Sequence, residues 1–190
     1  PHAEARRASK TTKVELPPTQ QTITVVGFCD GGKEVILDIV DENIGSLYQV
    51  RDVRRGKVIA SYPYAEKQSR RAWGTLKRKH TVQSGFADSP DNAKRRVTML
   101  SSLGSGLIRI LVMRGETVKP YTTIPLFVGR DNQVAEAFVK QIVWDARGKY
   151  AVIVYHQSVD GRLTWRGDFM HGIKYKSCLL YTSPSPRDSV

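Results

Sequence analysis

The chain has 190 residues, of which 40% are hydrophobic and 25% are charged, and these values exclude a wholly disordered chain and a coiled coil. The longest uninterrupted apolar run, residues 150–155, is far shorter than the ~20 residues that a membrane-spanning helix needs. Thirty Lys and Arg against eighteen Asp and Glu give a formal net charge of +12, which favours anionic partners or surfaces. We therefore expect one basic domain without a transmembrane segment.

The two ends of the chain are expected to lie outside this domain. Residues 1–22 have no apolar periodicity and are typical of a flexible lead-in. Residues 178–188 match a translated sequencing-library adaptor at all eleven positions, so we interpret 178–190 as a non-native tail; a natural tail rich in Pro and Ser is the alternative. If Cys178 is foreign, Cys29 is the one native cysteine, and a lone cysteine in an apolar stretch is most often a small buried hydrophobe.

Residues 23–177 are predicted to form a single, mainly β domain of some ten or eleven short antiparallel strands in three blade-like, four-stranded units. The units are 23–64, 95–129 and 137–176. The predicted strands are 23–28, 34–40, 46–53, 58–64, 97–103, 107–113, 121–128, 138–144, 150–156, 163–169 and a short 172–176. Continuous apolar runs, as at 35–37, indicate strands that are buried on both faces.

One helix is predicted between the first and second units, over 65–80, where β-branched runs are absent and Lys, Arg, Gln and Ala are frequent. Trp73 and Leu76 would form a narrow apolar stripe that docks on a sheet. Gly74 within this segment costs roughly 1 kcal/mol relative to Ala. Residues 83–94 are predicted to be a loop because they are rich in Gly, Ser, Pro, Asp and Asn.

An internal repeat links the first unit to the third. Sliding the chain by 116 positions aligns Phe28, Gly32 and Lys33 with Trp144, Gly148 and Lys149. The same gapless shift aligns further turn and strand-end positions: Gly45 with Gly161, Leu47 with Leu163, and Asp52 with Asp168. Chance similarity between two hairpins is the alternative, and 97–128 would be a third, degenerate unit between the two.

The repeated pattern is an aromatic residue, three variable residues and Gly-Lys, then an apolar strand, a polar turn and a strand ending in Asp. It resembles the blade repeat of TolB-like β-propellers, and bacterial predicted secreted proteins of unknown function carry similar repeats. That pattern usually has Ser-Pro-Asp before Gly-Lys, whereas this chain has Cys-Asp-Gly at 29–31 and Asp-Ala-Arg at 145–147. The resemblance covers 23–64 and 139–176. It implies a partial propeller or a small sandwich, because three units cannot close a ring of ~4–8 blades.

The predicted core consists of apolar residues on these strands and on the helix. They are Phe28, Val35, Leu37, Leu47, Val50, Trp73, Leu100, Ile108, Ile110, Leu126, Ile142, Trp144, Val152, Val154 and Leu163.

Sequence signatures of catalysis and of cofactor binding are absent. The four His residues lack the His-Glu-x-x-His spacing, a single native Cys rules out a cysteine zinc site, and no nucleophile elbow, P-loop or dinucleotide fingerprint occurs. Asp38, Asp41 and Glu42 could attract a hard cation, although a solvated turn is the more frequent explanation. His156 and His171 are expected to be partly buried structural residues. We therefore predict no catalytic residue, no metal and no cofactor.

The sharpest functional signal is the basic segment 65–96, in which nine cations against three acidic residues give a net charge of +6. The candidate anion-binding residues are Lys67, Arg70, Arg71, Lys77, Arg78, Lys79, Lys94, Arg95 and Arg96. On a helix they would form a cationic rod that neutralises phosphates of nucleic acid or lipid. The alternative is a solvated helix that covers a sheet edge.

Three functions agree with these features. The first is a non-enzymatic, β-propeller-like protein of the bacterial envelope or exterior, periplasmic or secreted, that binds a protein or peptide; a cytoplasmic location is the alternative. The second is an anion- or nucleic-acid-binding protein acting through 65–96. The third is a fragment of a larger propeller enzyme. The resemblance favours the first, although propeller repeats host many unrelated functions.

Overall fold

The computed structural model describes residues 20–90, 95–102, 105–126, 135–159 and 165–175. Within these ranges, ten antiparallel strands and one α-helix follow one another. The strands are β1 (Gln21–Cys29), β2 (Glu34–Asp41), β3 (Gly45–Asp52), β4 (Val58–Tyr64), β5 (Arg95–Ser102), β6 (Leu107–Arg114), β7 (Thr117–Pro125), β8 (Glu136–Trp144), β9 (Tyr150–Val159) and β10 (Trp165–Lys174). Helix α1 (Ser69–Lys79) lies between β4 and β5 and is too short to cross a membrane, as is every helix in the described ranges. The prediction of a mainly β, antiparallel fold with one helix near 65–80 is confirmed.

The strands form three sheets, which we number in chain order. Sheet 1 has the order β1-β2-β3-β4, sheet 2 the order β5-β6-β7, and sheet 3 the order β10-β9-β8. In the described ranges only sheet 1 has the four strands that were predicted for each unit. The predicted break before 172–176 does not exist, because Met170, His171 and Gly172 stay paired with β9 and prolong β10 to Lys174.

Sheet 3 lies between the other two sheets, although it is the last in the chain. Val152 and Val154 of β9 pack with β1 and β2, whereas Ala151 and Ile153 pack with Ile108 and other apolar residues of sheet 2. Both faces of β9 are therefore covered, which explains its continuous apolar sequence. The order of the layers is α1, sheet 1, sheet 3 and sheet 2, and the described residues do not close into a ring.

Helix α1 covers the face of sheet 1 that is turned away from sheet 3. Leu76 is fully buried against Ile36 and Val50, and Trp73 is half-buried beside it. The apolar stripe predicted for this helix therefore does dock on a sheet. Strand β2 is therefore buried on both faces, because the helix covers Ile36 on one face and Val35 and Leu37 pack toward sheet 3 on the other.

Most of the predicted core residues are buried, with one clear exception. Leu100 is 55% exposed, and its prediction as a core residue is wrong. Its neighbours Val97 and Met99 pack in the layer between sheets 2 and 3, so the alternation of a strand turns Leu100 to the opposite face. Three further residues, Leu47, Trp73 and Ile142, are half-buried, and Leu163 lies outside the described ranges.

The internal repeat holds in its first half and fails in its second. Phe28 pairs with Val35 in sheet 1, and Trp144 pairs with Ala151 in sheet 3, so these hairpins share one register at a shift of 116. The gapless shift also matched Asp52 with Asp168. In sheet 1, Asp52 pairs with Glu34. The counterpart of Glu34 in sheet 3 is Tyr150, and Tyr150 pairs with Lys174 rather than with Asp168. Strands β9 and β10 have ten residues each, against eight each in β2 and β3, and the connection between them is two residues longer, which breaks the match.

Candidate binding surfaces

The basic residues of α1 lie on its solvent half. Because successive helical residues are rotated by about 100°, Arg70 lies above Lys77 on one side, and Arg71 above Arg78 on another. All four are exposed, and Gly74 lies between the two rows. The opposite half of the helix packs on sheet 1, so the cations form a half-cylinder rather than a rod that is charged all round.

Two lysines near the end of α1 lie against aromatic rings. Lys77 Nζ is 5.2 Å from the centroid of the Trp73 ring, and Lys79 Nζ is 5.7 Å from that of Tyr62. Such cation–π contacts are worth about 0.5–1 kcal/mol at exposed sites and orient the side chains without neutralising them. Lys67, in the 3-10 turn that precedes the helix, is exposed.

The remaining candidate residues do not join this surface. Arg95 and Arg96 lie on β5 of sheet 2, on the far side of sheet 3 from the helix, and Lys94 lies outside the described ranges. Arg95 donates a hydrogen bond to the carbonyl oxygen of Gly148, at 2.5 Å, and its guanidinium lies 5.1 Å from the Tyr175 ring. The structure therefore divides the basic segment into a group on the helix and a pair on β5.

A second surface is the face of sheet 2 turned away from sheet 3, which we call the outer face of sheet 2. The residues that alternate with the buried positions define it: Arg96, Thr98, Leu100, Ser102, Leu107, Arg109, Leu111, Met113, Val118, Pro120, Thr123 and Pro125. Leu100 is 55% exposed and Val118 48%. None of these residues is acidic, and Arg96 and Arg109 are both exposed.

The sequence of β6 indicated apolar residues on both faces of the strand, but it did not indicate which face is exposed. Leu107, Leu111 and Met113 alternate with Ile108 and Ile110, so β6 is largely apolar on both faces. Only the stacking of the sheets shows that Ile108 and Ile110 face sheet 3, whereas the other set faces outward.

Asp168 is a buried carboxylate on β10 that links sheet 3 to the edge of sheet 1. Its Oδ2 accepts hydrogen bonds from the backbone N–H of Ile23 (2.9 Å) and from Lys140 Nζ (2.5 Å), and its Oδ1 lies 2.7 Å from His156 Nδ1. Gln141 Oε1 accepts the N–H of Val25 in the same way, at 3.0 Å. Side chains of sheet 3 thus cover the edge of β1, whose N–H groups would otherwise lack partners.

The other polar residues singled out in the sequence also have local partners. Asp41 Oδ1 accepts the backbone N–H groups of Asn43 and Ile44, which closes the turn between β2 and β3. Asp38 accepts a hydrogen bond from the Tyr64 hydroxyl; burial and this bond raise the pKa of Tyr64. His171 is half-buried with its ring 6.1 Å from that of Tyr121.

Comparison of the chain with protein-family models, with curated proteins and with solved structures finds no match in any of the three.

Proposed function

We propose that this is a non-enzymatic binding protein that holds an acidic, partly apolar polypeptide on the outer face of sheet 2. The observation that carries the proposal is the exposure of Leu100 and Val118 on one sheet face with two arginines and no acidic residue. Contiguous apolar surface on a soluble protein marks interaction sites, and it is costly to keep in water otherwise. Arginine is enriched at protein interfaces and selects partners of opposite charge.

The chemistry of the face favours a polypeptide over the other occupants. Single-stranded nucleic acid is held by aromatic rings on which bases stack, and none of the twelve residues that define the face is aromatic. A second copy of the chain would bring Arg96 and Arg109 toward the same cations of its partner, with no carboxylate on the face to neutralise them. An acidic segment with apolar side chains would pack on the leucines and pair its carboxylates with the arginines.

A kinship with TolB-like propellers and a place in the bacterial envelope or exterior belong to the same proposal. The proposed kinship is supported by the face-to-face stacking of antiparallel sheets and by the equivalent hairpins in sheets 1 and 3. In such an array an outermost sheet has a free face, and a binding partner covers it as a further blade would.

The test uses two labelled synthetic peptides, one alternating Glu and Leu and the other alternating Lys and Leu, with fluorescence anisotropy as the readout. We expect the acidic peptide to bind and the basic peptide not to bind. The double variant Leu100→Ser/Arg109→Glu should weaken binding at least about tenfold, because it removes an apolar contact and reverses a charge.

The matched control is Ile44→Ser/Arg54→Glu, which makes the same changes at exposed positions in two turns of sheet 1. It should bind the acidic peptide as the parent does. Equal binding by both double variants, equal binding of both peptides, or loss of a parental dimer in the Leu100 variant would each overturn the proposal.

A second candidate function, polyanion binding, is favoured by the half-cylinder of Arg70, Arg71, Lys77 and Arg78 on a helix that has no acidic residue. Four neutralised phosphates predict that log K for duplex DNA falls against log [salt] with a slope of about −3.6. Changing these four residues to Gln should abolish that slope. Changing four other exposed cations, Arg54, Arg55, Lys57 and Arg114, to Gln is the charge-matched control, and equal loss of binding in both would exclude a site on the helix.

A further inference from the structure

Three side chains with metal-ligating atoms meet beside the end of β1. Cys29 is the last residue of β1 and Glu34 the first of β2, so the two residues pair across the turn Asp30–Gly32. His80 follows α1 directly and is held there by its N–H, which donates to the Leu76 carbonyl at 2.9 Å. The docking of Leu76 on sheet 1 thus brings the imidazole to the hairpin. Among the described residues, this is the one group of three such side chains close enough to share an ion.

The distances suit a small tetrahedral ion. Cys29 Sγ lies 3.3 Å from Glu34 Oε2, Glu34 Oε2 lies 4.0 Å from His80 Nδ1, and all three ligand atoms lie within 4.8 Å of one another. Around Zn²⁺, with bonds of about 2.0–2.3 Å, tetrahedral ligand atoms are separated by roughly 3.3–3.6 Å. The first pair already meets this spacing, and the other distances would shorten as the three side chains close on a bound ion.

The partner of the second ring nitrogen orients His80 for coordination. His80 Nε2 lies 3.0 Å from the Tyr62 hydroxyl on β4. When Nε2 carries the proton and donates to Tyr62, Nδ1 presents its lone pair toward Glu34 and Cys29. Metal-ligating histidines almost always have such a partner on the other nitrogen, which fixes the tautomer and the ring.

The three ligands are among the residues that line a cleft of about 390 Å³. Asp30, Lys79, Gln83 and Arg147 line it as well. Cys29 itself is buried, whereas Glu34 and His80 are half-buried. A metal held by these three residues would therefore keep a fourth position toward the cleft, where water or a small anion could bind near the two cations.

We propose that Cys29, Glu34 and His80 form a binding site for Zn²⁺, with a fourth coordination position open to the cleft. Sulfur, imidazole nitrogen and carboxylate oxygen are the donors that Zn²⁺ takes in proteins, and three protein ligands leave the fourth tetrahedral position to water or a small anion. Binding converts the Cys29 thiol into a thiolate, and the proton passes to solvent. The prediction of no metal rested on the missing His-Glu-x-x-His spacing and on the single native cysteine, whereas the fold brings together one Cys, one Glu and one His from separate parts of the chain.

The test is a Co²⁺ titration of the Cys178→Ser protein, in which Cys29 is the remaining cysteine. We expect one Co²⁺ per chain, a sulfur-to-cobalt charge-transfer band and tetrahedral d–d bands, all displaced by Zn²⁺. Cys29→Ala should abolish the charge-transfer band, and His80→Asn should weaken binding at least about tenfold. Because His80 is half-buried at the end of a helix, that variant tests the site even if the Cys29 variant does not fold.

His171→Asn removes a half-buried imidazole on β10 and is the control, which should bind Co²⁺ as the parent does. A parent protein without the charge-transfer band at millimolar Co²⁺ would overturn the proposal. Equal weakening by His80→Asn and His171→Asn would also overturn it, and so would a band that persists in Cys29→Ala.

Discussion

Phe28 and Trp144, which are 116 residues apart, make the same main-chain contacts with one short segment. Phe28 exchanges two backbone hydrogen bonds with Gln83, at 2.8 and 2.7 Å, and Trp144 exchanges two with Phe86, at 2.9 and 2.7 Å. Both aromatic residues are buried where their hairpins turn. Residues 83–86 therefore tie sheet 1 to sheet 3 as a short bridge, although the sequence indicated only a loop. The described part of that loop thus has fixed main-chain contacts with both sheets.

The contact between sheets 1 and 3 depends on the absence of a side chain at Gly172. A Cβ at this position would lie 1.7 Å from the carbonyl oxygen of Val53, so an alanine would force β10 away from the end of β3. We expect Gly172→Ala to lower the free energy of unfolding by about 3 kcal/mol or more, measured by urea denaturation. A loss below about 1 kcal/mol would show that the two sheets are not in this contact.

Gly74→Ala should have the opposite effect. Nothing lies within 4 Å of a Cβ at this helical position, so alanine adds no clash and restricts the unfolded chain. We expect a gain of about 1 kcal/mol in the free energy of unfolding. The same urea titration measures it, and a destabilised variant would mean that α1 packs differently.

Asp168→Asn tests the polar contact between β1 and sheet 3. The substitution removes the charge that Lys140 and His156 face and turns one acceptor into a donor beside the Ile23 N–H. We expect a loss of about 2–3 kcal/mol, because a hydrogen bond to a buried charged group is replaced by a mismatch. Asp88→Asn, at an exposed position, is the control and should change stability by less than about 0.5 kcal/mol. Similar losses in both variants would refute the structural role of Asp168.

The stability of the protein should fall on the acid side in part through His171. Burial lowers the pKa of His171 below its usual 6.5, so the unfolded chain takes up the proton at a higher pH than the folded protein does. As the pH falls from about 7.5 to about 5, protonation of the unfolded state therefore lowers the free energy of unfolding. We expect His171→Gln to show a smaller drop in urea midpoint over this range. An unchanged pH dependence would contradict the prediction.

Leu100 and Ile110 test which face of sheet 2 is covered. Ile110 is fully buried against sheet 3, and Ile110→Ala should cost about 2–4 kcal/mol through the cavity that it leaves. Leu100→Ala, at the exposed outer face, should change stability by less than about 1 kcal/mol. Thermal unfolding of the two variants side by side makes the comparison, and a large loss at Leu100 would mean that the outer face is covered.

The strands could be predicted because their signal is local. Apolar residues at every second position and turns rich in glycine predicted the hairpins of β1–β4 and β8–β9 within a few residues. The helix was predicted from the lack of β-branched residues around Trp73 and Leu76. The boundary of β10 was missed because Gly172, a turn signal in sequence, lies inside a paired strand and serves the close approach of Val53.

The amino-acid sequence by itself determined most of the secondary structure, the basic charge and the two-faced burial of β2, because each of these depends on residues that are near neighbours in the chain. Only the tertiary structure decided that sheet 3 lies in the middle, that Leu100 faces outward, and that His80 meets Cys29 and Glu34. These outcomes depend on which sheet faces pack against each other and exclude water. That choice is made between segments far apart in sequence, where the spacing of residues carries no information.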